Sequence, residues 1–102
     1  MPAYLSLSSE PQIDSENNRF SIDGRRETPI WGGPNLYRIE CGKHTVVVRS
    51  GTGDQWTVEA DVGHDKMLTI KLYFAGRDIC DVRYKVDRVQ MFLKWIAKPL
   101  SY

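Results

Sequence analysis

Residues 55–74 read QWTVEADV, then GHD, then KMLTIKLYF, and the alternation in this stretch decides the fold class. Trp56, Val58, Ala60 and Val62 alternate with Thr57, Glu59 and Asp61. After Gly63-His64-Asp65, the apolar positions Leu68, Ile70, Leu72 and Phe74 alternate with Thr69, Lys71 and Tyr73. A period of two places every second side chain on one face, which is the pattern of a half-buried strand and not of a helix. A third run follows Ala75-Gly76-Arg77-Asp78, with Cys80, Val82, Tyr84 and Val86 set against Asp81, Arg83 and Lys85. The turn residues between the runs predict successive strands joined by short connections.

Working upstream, Lys43 to Arg49 is dense in β-branched residues after a less regular Leu36 to Cys41, and Gly42-Lys43 between them predicts a hairpin. Phe20 and Ile22 before Asp23-Gly24 suggest another short strand, and Tyr4, Leu5 and Leu7 a first one. About seven short strands with short turns predict a mostly β fold, an antiparallel β-sandwich. Ser8 to Asn18 is polar, contains Pro11 and reads as a loop, and Pro29 to Pro34 reads as a turn-rich connector around Trp31-Gly32-Gly33. The C-terminal segment differs in kind. From Asp87 to Lys98 the residues Val89, Phe92, Leu93 and Ile96 follow helical spacing, and Pro99 stops the run, so residues 87–98 are predicted as a short amphipathic helix, with an additional strand as the alternative.

At 102 residues the chain is sized for one hydrophobic core, so residues 1–102 are expected to form a single domain. With 41% apolar and 26% charged residues it lies outside the composition of disordered chains. A formal charge of +1 supplies no global field toward nucleic acid or anionic lipid, and any such partner needs a local patch. No apolar run reaches the length of a membrane span, and Met1 to Glu10 lacks a signal-peptide pattern, so the chain reads as soluble, without membrane insertion. These features are compatible with a cytoplasmic protein or an excised extracytoplasmic domain.

The run Arg19-Phe20-Ser21-Ile22-Asp23-Gly24, then Thr28-Pro29, then Ile39 to Val48 through Gly42-Lys43-His44-Thr45-Val46, then Leu68-Thr69-Ile70-Lys71-Leu72, resembles the PEGA-type β domains. The likeness spans roughly Arg19 to Phe74; Cys41 stands where the family has a proline, and Trp31 to Pro34 departs from its pattern. The resemblance implies a non-catalytic module of bacterial envelope or surface proteins, and it carries no functional residues to transfer.

Candidate chemistry is sparse. His44 and His64 lack zinc-ligand spacing, so no metal site and no cofactor is expected. Cys41 and Cys80 read as reduced core residues, with one bridge as the alternative; pairing either with His44 as nucleophile and base fits the alternation less well, and no catalytic residue is assigned. Asp61, Asp65, Asp78 and Asp81 sit where turns favour aspartate on backbone grounds. Arg25, Arg26, Arg83, Lys85 and Arg88 are interspersed with acids, which disfavours nucleic acid. Trp31, Tyr37 and Tyr73 form a candidate ligand platform for carbohydrate. The C-terminal segment has more apolar breadth than one helix face uses, which marks Met91, Phe92, Trp95 and Ile96 as a candidate surface for a protein partner or homo-oligomer, the alternative being a helix wholly buried as a cap. The expectation is a non-enzymatic binding or assembly module; a carbohydrate- or envelope-associated module is the second reading and a small metal-dependent hydrolase the third.

Overall fold

The computed structural model describes residues 2–10, 15–30 and 35–99. Among these the chain forms strands β1 (Pro2–Glu10), β2 (Ser15–Ile22), β3 (Thr28–Ile30), β4 (Asn35–Glu40), β5 (Gly42–Arg49), β6 (Gln55–Val62), β7 (Lys66–Ala75) and β8 (Asp78–Arg88), then helix α1 (Met91–Ile96) and a short β9 (Lys98–Pro99). They make a five-stranded sheet in the order β8-β7-β1-β4-β9 and a four-stranded sheet in the order β3-β2-β5-β6. The predicted mostly β sandwich is therefore the fold.

Its core is the meeting of the two inner faces. Leu5, Leu7, Leu68, Ile70 and Leu72 come from one sheet and Phe20, Ile22, Val46, Val48, Val58 and Val62 from the other, all essentially inaccessible. The alternation of residues 55–74 lands as read: Val58 and Val62 are buried from β6, and Leu68, Ile70 and Leu72 from β7. Removing such side chains from water is the main favourable term in forming the sandwich.

Four details differ from the sequence reading. Most pairs are antiparallel, but β1 lies parallel to β7, with Leu5 beside Leu68 and Leu7 beside Ile70, so the first strand is central and well covered. β4 and β5 are not a hairpin, because β4 pairs with β1 and β9 while β5 pairs with β2 and β6. Only Cys41 separates them, and the chain crosses from one sheet to the other at Gly42, whose φ of +129° excludes an ordinary side chain without strain. The segment Ser8 to Asn18 is largely strand within its described residues. The helix is shorter than 87–98, because Asp87 and Arg88 complete β8 opposite Met67 and Lys66.

The cysteines also depart from the core positions expected of them. Both are reduced and exposed. A register shift pairs Tyr73 with Asp81 and Phe74 with Ile79, so Cys80 is displaced outward as a bulge residue and Ile79 takes the buried position. Beyond it, Val82, Tyr84 and Val86 do share the inner face with Leu72, Ile70 and Leu68. At this sheet edge the smaller opposing sheet leaves Tyr84 and Val86 exposed, so the face was right and the burial was not.

Two polar side chains lock the turns. Asn18 of β2 is 1% exposed; its Nδ2 donates to the Arg77 carbonyl at 3.2 Å and its Oδ1 accepts the Gly51 N–H at 3.1 Å, joining the β5–β6 and β7–β8 turns. His44 of β5 is buried between the Asp23 carboxylate, 2.6 Å from Nδ1, and the Glu40 carbonyl, 2.6 Å from Nε2. Asp23 has a φ of +53°, and its other carboxylate oxygen accepts the Thr45 N–H at 2.9 Å. Burial pushes the Asp23 carboxyl upward, but the Thr45 N–H and the His44 ring outweigh it and hold the carboxyl below its ordinary value of 3.8. A carboxyl lowered by folding adds stability that is complete above 3.8 and lost as the pH falls through the lower folded value. Asp23→Asn keeps a residue tolerant of positive φ while removing the charge. It is expected to cost about 1 kcal/mol at neutral pH and to flatten this acid limb, as read by urea unfolding across the pH range.

Candidate functional site: the apolar strap and its cationic hollow

After β8 the chain leaves one edge of the five-stranded sheet, crosses its outer face as α1, and rejoins the opposite edge as β9, where Lys98 and Pro99 pair with Tyr37 and Arg38 of β4. A six-residue helix is too short to persist by itself, and Gln90 makes no side-chain cap at its start. Tertiary anchors therefore hold it. Val89 is buried just before it, and the Val89 N–H donates to the Asp65 carbonyl at 2.9 Å. Asp65, at a φ of +59° in the β6–β7 turn, also donates its N–H to the Pro2 carbonyl at 3.2 Å. Lys94 closes the clamp from α1, with Nζ 2.9 Å from the Asp65 carboxylate. That lysine, assisted by His64, holds the exposed Asp65 carboxyl below the ordinary range.

With the strap fixed this way, its faces are assigned. At 100° per residue, Met91, Phe92, Trp95 and Ile96 fall within an arc of about 140°, while Leu93 and Lys94 lie outside it. Leu93 turns to the sheet, forming a wall of one hollow with Met67 and Thr69 and of another with Ser6 and Leu36. The arc faces solvent: Met91 is 76% exposed, Phe92 61%, Trp95 84% and Ile96 62%. No residue of α1 is buried. The alternative of a helix wholly buried as a cap is thus corrected; the docking falls to Leu93 and the preceding Val89.

The hollow between α1 and the β7–β8 ladder encloses about 560 Å³. Lys71, Arg83, Lys85 and Arg88 line it, with Asp87 as its one lining carboxylate. Lys85 lies 3.2 Å from Asp87, and Arg83 lies 3.3 Å from Asp81 and covers the Tyr73 ring. Both pairs are exposed to solvent, where such contacts add little stability, and the four cations outnumber the carboxylates Asp81 and Asp87 by two, leaving the hollow net positive. This local concentration of cations is invisible in a net charge of +1. The strand periodicity of β8 carried part of the signal, since Arg83, Lys85 and Asp87 share one face with Thr69 and Lys71 of β7.

Two residues of the candidate aromatic platform, Tyr37 and Tyr73, are not brought together. Tyr37 pairs with Leu5 and lies on the inner side, where its ring is 5.6 Å from that of Phe20 and burial pushes its phenol up. Tyr73 lies on the outer face beside Arg83. The two rings are on opposite sides of one sheet, and Trp31 falls outside the described residues. His44 has both ring nitrogens directed at oxygens of Asp23 and Glu40, which leaves neither aimed at a thiol. Among the described residues no group of three or more His, Cys, Asp or Glu side chains converges as a metal site, and no helix is long and apolar enough to cross a membrane.

Fold and surface together define a two-sheet β-sandwich with an outward-facing apolar strap. Comparison with protein-family models, with curated proteins and with solved structures gave no match for this chain.

Proposed function

We propose that this protein is a non-enzymatic binding module whose partner-facing surface is the apolar arc of α1. The observation that carries the reading is the solvent exposure of Met91, Phe92, Trp95 and Ile96 together on one short helix. Single exposed apolar residues are ordinary, but a contiguous set of large ones costs solubility and marks an interaction surface. The fold makes little use of these side chains, since Val89, Leu93, Lys94 and the β9 pairing hold the strap. The resemblance of Arg19 to Phe74 to PEGA-type domains agrees with a non-catalytic module. A carbohydrate platform is the weaker reading, because Tyr37 and Tyr73 lie on opposite faces of one sheet.

Replacing both aromatics, Phe92→Ser with Trp95→Ser, is expected to abolish retention on a phenyl-bearing resin in moderate salt while leaving the circular dichroism spectrum unchanged. Undiminished retention would contradict the assignment of the binding surface to α1.

A further inference from the structure

We propose that the partner is an anionic lipid surface, with α1 inserting its apolar arc at the headgroup boundary and the adjacent cationic hollow holding lipid phosphates or carboxylates. The inference rests on the reading of α1 as the binding surface and adds the identity of what it binds.

Three observations lead there. The arc combines Trp95 and Phe92 with the aliphatic Met91 and Ile96, a set suited to the boundary between headgroups and acyl chains. Base stacking would use the aromatic pair but would leave Met91 and Ile96 exposed. The cations flank this arc: Lys71, Arg83 and Lys85 share the outer face of the sheet and, with Arg88 from the end of β8, line the hollow of which Leu93 is a wall, and Lys98 from β9 lines the second hollow with Ile96. A charged surface met edge-on therefore receives apolar and cationic groups together.

The third observation is shape. α1 projects as a ridge between two hollows, so its large side chains stand proud of the surface. A rigid protein partner would need a groove cut to this ridge, whereas a bilayer yields to it. A second copy is disfavoured by charge, because a symmetric contact through this face would bring the two cationic hollows toward each other. A bilayer bearing anionic lipid meets both requirements, since it offers apolar depth and negative potential at one boundary. The helix is not long enough to cross it.

The test is co-sedimentation of the full chain with phosphatidylcholine vesicles, with and without about a third phosphatidylserine, at low and high salt. The expected result is binding to the anionic vesicles that weakens with salt, accompanied by a blue shift of tryptophan emission that Trp95→Phe removes. Lys71→Gln with Lys85→Gln should lower the partition constant by about 25-fold, near fivefold for each cation. Phe92→Ser with Trp95→Ser should lower it by at least tenfold. Absence of wild-type binding to anionic vesicles, equal binding to both kinds, or binding indifferent to α1 would each overturn the proposal. If anionic vesicles fail while retention on the phenyl resin still depends on Phe92 and Trp95, the lipid proposal falls and the reading of α1 as the binding surface stands. If that retention is also unaffected, both fall.

Discussion

Asn18→Asp is expected to destabilise the fold by about 3 kcal/mol or more at neutral pH, although it exchanges one NH2 group for an oxygen. The buried Asn18 amide supplies a donor to the Arg77 carbonyl and an acceptor to the Gly51 N–H. Aspartate keeps the acceptor and loses the donor. Its second oxygen then faces a carbonyl oxygen where the amide nitrogen stood 3.2 Å away, in a site 1% exposed. A buried carboxylate without a compensating donor is disfavoured, so its pKa rises on folding. The sign of the pH dependence follows: the variant regains stability as the pH falls through that raised value, because the protonated acid again donates to Arg77. Urea unfolding between neutral and mildly acidic pH should show the deficit shrinking on acidification. A uniform deficit across pH would mean that the turns are held by something other than this amide.

The second large effect is in the core. Leu5 is inaccessible in β1, a central strand, with β4 and β7 on its two sides. Tyr37 and Leu68 are its register partners, and the other sheet closes the inner face. Leu5→Ala should cost about 2 to 5 kcal/mol, the range for a buried leucine whose surroundings cannot collapse into the space. The upper half is expected here, because strands on both sides fix the backbone. Thermal unfolding would read this directly, and a loss below about 1 kcal/mol would contradict a central, well-packed β1.

These residues also show how far the sequence was legible. Alternation in residues 55–74 located β6 and β7 and their buried faces, since a period of two has one geometric solution in a sandwich. It located the inner face of β8 as well, but exposure of Tyr84 and Val86 depends on the width of the opposing sheet, which is a tertiary fact. The parallel pairing of β1 with β7 joins segments far apart in sequence and leaves no local trace. Asn18 was lost in a polar run because patterning treats a buried, hydrogen-bonded amide as a loop residue.

The candidate site was half legible. Excess apolar breadth in the C-terminal segment identified Met91, Phe92, Trp95 and Ile96, but the same pattern fits a buried cap, and only the register of β8 and β9 shows the strap crossing an outer face. The cationic hollow combines Lys71 with Arg83 and Lys85 across a ladder, a juxtaposition set by strand register.

If the apolar arc of α1 serves a partner and not the fold, equilibrium urea unfolding of the Phe92→Ser, Trp95→Ser chain beside the wild type will show it. Unfolding free energies equal within about 0.5 kcal/mol are expected, as for surface substitutions. A loss approaching that of Leu5→Ala would show that these side chains are part of the core and would contradict that role.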